Sequence, residues 1–340
     1  MPAAAVVSYR LGGADGVSVE AAKWGGALRA LGFDVTTIAG EGTADRILPG
    51  LAIDAPPSGC PSPREIDEAL GDADVVLVEN LCSLPLNPSA GQAVAAALRG
   101  RPAILRHHDL PWQRPRFADW TAAIPDDPRW RHVCINKLTR NELAARGIDA
   151  AVVYNHFSLD PGGDRERTRA ALGLSAAERL VLQPTRAIAR KGAPSAVALA
   201  EALGAAYWMA GPVEEDYGDA FTRLCDGAAT RVIHLLPAGV SMDDAYAACD
   251  VVAFPSTWEG FGNPTIESAV HRRPLAVAHY PVLDELRSFG FRWFDVSGVA
   301  ALASFLDDPD AALLEHNYAL ARRHFDLAAL PERVAAILPA

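Results

Sequence analysis

Lysine is nearly missing from this chain: Lys23, Lys137 and Lys191 stand against 28 arginines. With so much alanine alongside, that balance is the mark of a GC-rich coding bias. Many arginines then serve as ordinary solvated charge, and a retained lysine draws notice. Cysteine pairing is missing as well. Cys60, Cys82, Cys134, Cys225 and Cys249 are scattered, odd in number and without a Cys-x-x-Cys step. That excludes a disulfide framework and points to free thiols in a reducing cytoplasm. No apolar run approaches the roughly 20 residues a membrane span needs, so no integral membrane segment is expected. The start, Met-Pro-Ala-Ala-Ala-Val-Val-Ser-Tyr-Arg, lacks the charged head and longer apolar core of a signal peptide and reads as a first strand. Positive charge is in deficit, with a net of −11, which argues against nucleic acid as the main partner. Cys/His spacing suited to a metal is absent too, and no metal is expected.

What is present is length and apolar content. The chain has 340 residues, half of them apolar, enough for two domains and a substantial core. Short β-branched runs alternate with amphipathic windows. Strands are predicted at Ala5–Tyr9, Asp34–Ile38, Val75–Glu79, Ala103–Arg106, Val133–Ile135 and Val152–Tyr154. Helices are predicted over Val19–Leu31, Ser89–Arg99 and Leu138–Arg146. A second strand series runs through Leu180–Gln183, Tyr207–Met209, Val232–Leu235, Val251–Phe254, Leu275–Ala278 and Phe291–Phe294. Such alternation predicts an α/β chain of two doubly wound, Rossmann-like domains with parallel sheets, whose ligands sit at the C-terminal ends of strands. Ser158–Glu166, with its Asp-Pro-Gly-Gly-Asp, is the linker and hinge candidate.

The most informative stretch is Phe254-Pro-Ser-Thr-Trp-Glu-Gly-Phe-Gly-Asn-Pro-Thr-Ile-Glu267. A buried strand ends at Phe254, and Asn263-Pro264 opens a helix with proline near its first position. Between them Gly260, Phe261 and Gly262 make a turn whose bare amides can approach a ligand closely, behind which a helix N-terminus attracts an anion such as phosphate. Glu259 and Glu267 flank that seat. Carboxylates suit hydroxyls better than phosphate, so phosphate flanked by hydroxyls describes a nucleotide sugar.

Other strand ends add to this. After the first strand, Gly12-Gly13 lies in Arg10-Leu-Gly-Gly-Ala-Asp-Gly16, which is not Gly-x-Gly-x-x-Gly and supports a dinucleotide site only weakly. Arg106-His-His-Asp109 closes another strand, where alternation forbids His107 and His108 from facing one ligand together. Residues 99–146 hold ten basic groups against five acidic ones, whereas residues 1–98 hold five against twelve. That contrast fits either an anionic acceptor or a plain basic face. Trp112, Trp120 and Trp130 in the same region suit a sugar wall or an ordinary core. In the second half Arg186 and Lys191-Gly192 follow a strand, a planar fork and a point charge able to neutralise a diphosphate. Arg190 between them is ambiguous, open to the site or to solvent.

Taken together these stretches resemble the family 4 glycosyltransferases, a retaining group of GT-B architecture in which two Rossmann-like domains face each other across an interdomain cleft. The resemblance spans nearly the whole chain. It is most specific in Phe254-Pro-Ser-x-x-Glu-Gly-Phe-Gly-x-Pro-x-x-Glu267, which carries a Glu-x7-Glu pair, and it extends to Gly12-Gly13, His108-Asp109, Asn155, Arg186 and Lys191-Gly192. It implies an N-terminal acceptor-side domain over 1–157, a linker over 158–176, a donor-binding domain over 177–310, and helices in 311–340 that return to the first domain. By the same resemblance Glu267 holds ribose hydroxyls and Glu259 a hydroxyl of the donor sugar. Amides from Gly260 to Asn263 meet the sugar and distal phosphate, and Arg186 and Lys191 stabilise the departing diphosphate. Gly12 and Gly13 close over it, His108 approaches the sugar, and Asp109, Arg114 and Asn155 lie on the acceptor side. The family uses no cofactor beyond the donor, and retention is explained by same-face attack. Two departures stand out. Ala278-His-Tyr-Pro-Val-Leu-Asp-Glu285 replaces a Gly-rich segment common in relatives, and His156 stands where Gly is common.

The expected activity is therefore transfer of a hexose from a UDP- or GDP-sugar to a soluble small-molecule or glycan acceptor, with anionic acceptors among the candidates. A nucleotide-sugar epimerase or phosphorylase on the same fold, and a non-catalytic sugar-nucleotide-binding protein, are the alternatives.

Overall fold

The computed structural model describes residues 1–13 and 15–339. The chain divides into two compact units. One comprises Met1–His156 together with the chain from Leu327 on, and the other is Phe157–Asp326.

The first unit is built on seven strands: β1 (Ala3–Leu11), β2 (Asp34–Gly42), β3 (Arg46–Ile47), β4 (Val75–Glu79), β5 (Ala103–His107), β6 (Trp130–Cys134) and β7 (Ala150–Val152). They pair in the order β3-β2-β1-β4-β5-β6-β7, every pair parallel. Central strands such as Val-Val-Leu-Val-Glu of β4 are buried throughout, as expected of a parallel sheet covered on both faces. One face packs Val7, Val76, Val78 and Leu105 under the helices Pro63–Leu70 and Pro88–Ala97. The other packs Val6, Leu77, Ile104 and Val133 with Trp24 and Leu28 of the helix Gly16–Ala30, and with Leu330 and Val334 of the last helix, Leu330–Ala335.

The second unit holds six strands: β8 (Leu180–Gln183), β9 (Ala206–Met209), β10 (Val232–His234), β11 (Val251–Phe254), β12 (Leu275–Val277) and β13 (Phe294–Asp295). Their order is β10-β9-β8-β11-β12-β13, again all parallel. Both sheets thus reverse direction once, at β1/β4 in the first and at β8/β11 in the second. In open α/β sheets the crevice at such a reversal is where ligands bind.

Several segments differ from the sequence reading, among them β7, expected at Val152–Tyr154 and found at Ala150–Val152. β3 went unrecognised because it is two exposed residues held only by its pairing to β2. Phe291, read as strand, leaves β13 to begin at Phe294, because its ring stacks on Trp293 and packs against Phe325. Within 158–176, read as linker, lies the helix Arg165–Ala171. Arg165 and Arg169 tie that helix to carbonyls at Ala248 and to the Asp250 carboxylate. The chain passes between units at His156/Phe157 and Asp326/Leu327, and the helix Ala311–Phe325 stays with the second unit.

Candidate active site

In the second unit the loops after β8 and β11 are bound together before any side chain is considered. Gly192 has φ +66°, and a Cβ there would lie 2.4 Å from the Pro255 carbonyl oxygen, so only glycine lets the two loops touch. The Thr257 amide donates to the Arg190 carbonyl at 3.0 Å, and the Gln183 side chain donates to the Lys191 carbonyl at 2.8 Å. This brings the Lys191 ammonium to 2.5 Å from Glu259 Oε1, with both residues 8% exposed. Arg190, ambiguous in the sequence, donates to the Trp258 carbonyl at 2.7 Å and reaches Glu259 Oε2 at 3.4 Å. A carboxylate buried beside it is the reason it turns inward.

Burial alone would push the Glu259 carboxyl up, but Lys191 and Arg190 outweigh it and hold the group below its usual value. Burial lowers the Lys191 ammonium, Glu259 opposes the shift, and Arg190 and Arg186 add to it. Arg186 is thus close enough to weigh on Lys191, yet its own hydrogen bond goes to Glu214 at 2.5 Å.

The turn behind Glu259 is as tight as its spelling implied. Gly262 has φ +92°, and a Cβ there would fall 2.2 Å from the Tyr280 hydroxyl oxygen. Tyr280 donates that hydroxyl to the Phe261 carbonyl at 3.0 Å. The Phe261 side chain packs between Phe157 and Phe325, so only its main chain can meet a ligand. Asn263 stands at the N-cap of the helix Pro264–Val270, and its side chain makes no capping hydrogen bond to that helix. On that helix Glu267 accepts from Tyr246 at 2.6 Å, and Tyr246 is itself stacked on His271. Burial and then the Glu267 charge raise the Tyr246 phenol well above its usual value, so it stays a donor.

In the first unit the residues of interest line the C-terminal edge at β1, β4 and β5. Gly12 and Gly13 follow β1, and the Asp15 carboxylate accepts from the Val17 and Ser18 amides at 3.1 and 3.2 Å. The helix Gly16–Ala30 is therefore capped by its own chain. His107 and His108 diverge, as strand alternation requires. His107 Nε2 meets His132 Nδ1 at 2.9 Å, and His132 Nε2 meets Asp126 at 3.2 Å. Because a carboxylate only accepts, His132 donates from Nε2 and His107 from its own Nε2. His108 turns the other way, with Nε2 at 2.5 Å from Glu79 Oε2. Asp109 accepts from Arg114 at 2.5 Å, and Asn155 accepts from Arg106 at 2.9 Å.

Sequence reasoning missed the group beneath His108. Arg106 is fully buried, donates to Glu79 and Glu20 at 3.1 Å, and lies over the Trp24 ring. Lys23 pairs with Glu20 at 2.6 Å. The available signal was Glu79, a lone acid closing an otherwise apolar strand. Among the described residues no cluster of three or more His, Cys, Asp or Glu could hold a metal ion, and no helix is long and apolar enough to cross a membrane.

Two parallel Rossmann-like sheets, each carrying these residues at its reversal, define the GT-B class of fold, and the chain's homologues and structural neighbours are glycosyltransferases. The chain is 25% identical, over an alignment of 419 positions covering 96% of it and 97% of the relative, to mannosylglucosylglycerate synthase of Thermotoga maritima. It is 26% identical to the protein of the same name from Petrotoga mobilis, with 82% of each covered. Among solved structures, sucrose-phosphate synthase from Thermosynechococcus elongatus superposes with a TM-score of 0.75 at 16% identity, covering 99% of this chain and 98% of that one. Anabaena Alr3699/HepE in complex with UDP-glucose gives 0.67 at 18% identity, covering 98% of each. No protein-family model matches the chain.

Proposed function

We propose that the protein is a retaining, metal-independent hexosyltransferase of glycosyltransferase family 4, acting in the cytoplasm. It moves a hexose from a UDP- or GDP-sugar to a soluble acceptor that carries an anionic group. The observation that carries this reading is the Lys191–Glu259 pair at the β8/β11 reversal, beside the Gly262 turn.

Breaking the bond between the sugar's anomeric carbon and the diphosphate oxygen builds negative charge on the leaving group. Lys191 and Arg186 supply fixed positive charge to meet it, with Arg186 exchanging Glu214 for phosphate when donor binds. Glu259 is already held ionised and suits a sugar hydroxyl, Glu267 suits the ribose, and the amides of Gly260 to Asn263 suit the sugar and distal phosphate. The family resemblance assigns Gly12 and Gly13 to the diphosphate and His108 to the sugar. The acceptor hydroxyl attacks the same face that the diphosphate leaves, passing its proton to the departing phosphate oxygen. Asp109, Arg114 and Asn155 stand on the acceptor side. An anionic acceptor accords with the basic excess of residues 99–146 and with relatives whose name contains glycerate, an anion. A UDP-sugar accords with the UDP-glucose complex of a structural neighbour.

The test is a thermal-shift screen of UDP- and GDP-sugars, followed by mass spectrometry and NMR of products made with candidate acceptors. A transferred sugar of unchanged anomeric configuration is expected. Lys191→Ala and Glu267→Ala should each lower turnover by about a hundredfold or more, and full activity in both would refute the assignment. Product formed without acceptor would indicate an epimerase, and donor binding without turnover a sensor.

A further inference from the structure

The three tryptophans of residues 99–146 fold into different settings. Trp130 is buried, donates Nε1 to the Leu98 carbonyl at 3.2 Å and carries the Arg99 guanidinium over its ring. Trp112 donates to Glu142 at 2.9 Å and lies under Arg146. Trp120, by contrast, borders a cavity of about 330 Å³ that lies wholly within the first unit. That volume is at the small end of the range for ligand pockets. One wall is the loop 81–85 after β4, where the Tyr9 hydroxyl sits 3.2 Å from the Leu81 carbonyl and 2.5 Å from that of Leu84. The floor is the helix Pro88–Ala97, on which Gln92 and Ala96 stand exposed. The roof is residues 120–125, outside any helix or strand. It is tied down at Asp126, whose carbonyl accepts from Arg99 and whose carboxylate accepts from His132 at 3.2 Å.

The lining is one-sided in its chemistry. Leu81, Leu84, Ala95, Ile124 and the Trp120 ring make it mainly apolar. Burial pushes the Cys82 thiol up to about 12, so it adds apolar surface and no charge. No carboxylate lines the cavity, and its one charged member is Arg99 at the rim. The Arg99 side chain is 56% exposed and Asp127 stays 3.9 Å away, beyond hydrogen-bond reach, so the guanidinium keeps N–H donors for a ligand. A sugar would find few partners here: besides Arg99 only Ser83 and Gln92 are polar, and the Ser83 hydroxyl already donates to the Asn80 carbonyl at 3.1 Å. Gly12, Gly13, His108, Asp109, Arg114 and Asn155 all lie outside the lining. We propose that this cavity is a separate binding site for a small amphipathic carboxylate, its apolar body against Trp120 and its anion on Arg99. The site is complete within one unit and does not depend on the glycosyltransferase reading.

The test is calorimetric titration of the full chain with phenylacetate and with its neutral amide, phenylacetamide. Phenylacetate is expected to bind, and the amide about tenfold more weakly, the scale of one charge-assisted hydrogen bond. Arg99→Gln should bring the acid down to the affinity of the amide and leave the amide unchanged. Ala96→Phe fills the cavity from an exposed helix position and should abolish binding of both probes. Gln92→Trp does the same from another exposed position on that helix, should Ala96→Phe melt below the wild type. A wild-type chain that binds neither probe overturns the proposal, as do equal affinities for acid and amide. Wild-type binding in both filled variants overturns it as well. UDP-glucose titrated in parallel tests the transferase reading by itself, so either conclusion can fail without the other.

Discussion

At the scale of single residues, the candidates Lys191, Glu259 and Glu267 lie in two short stretches, each a strand end followed by a glycine turn. The tight turn also makes a stability prediction. Gly262→Ala puts a Cβ against the Tyr280 hydroxyl in left-handed backbone, and should cost about 3 kcal/mol, seen as a lower urea midpoint. Adding Tyr280→Phe should recover only part, since the backbone penalty remains. Glu20, Glu79, Arg106 and Asn155, by contrast, come from four separate elements. Nothing in their local spelling says that one guanidinium will gather the other three. Arg190 stayed ambiguous for a related reason: a cation's direction is set by which carboxylate lies buried beside it, here one 69 positions away.

At the scale of elements, apolar runs located the central strands because burial on both faces leaves little room for polar residues. Val75–Glu79, Leu180–Gln183 and Val251–Phe254 have their expected bounds. The two-residue edge strand Arg46–Ile47 carries no such signal. The last helix shows what an element can do without touching the chemistry. Leu330 and Val334 are completely buried against Trp24 and Leu28. Leu330→Ala should destabilise by about 2–5 kcal/mol, read as a lower denaturant midpoint for Trp24 fluorescence. A midpoint equal to wild type would mean that this helix is not part of the core.

At the scale of the whole molecule, stability should depend on pH through histidines buried without charge. Burial lowers His107, His132 and His156, and lowers His271 to about 4 from 6.5. In each case the unfolded chain takes up its proton first as pH falls. The stability contributed is therefore whole above pH 6.5 and is lost below it, by at most about 1.4 kcal/mol per histidine per pH unit. Glu79 and Glu259, both held below the ordinary value of 4.5, add a second loss only below that pH. Melting temperatures measured from pH 7.5 to 5 should fall steadily, and a flat profile would contradict the buried neutral assignment.

The return of the chain at Leu327 bears on how the protein comes to be made. The first sheet emerges from the ribosome early, yet the residues that seal one of its faces are translated only after the whole of Phe157–Asp326. That inserted half has every part of its core in hand and can fold at once, while its predecessor waits with Trp24 and Leu28 uncovered. The half begun first is the half finished last.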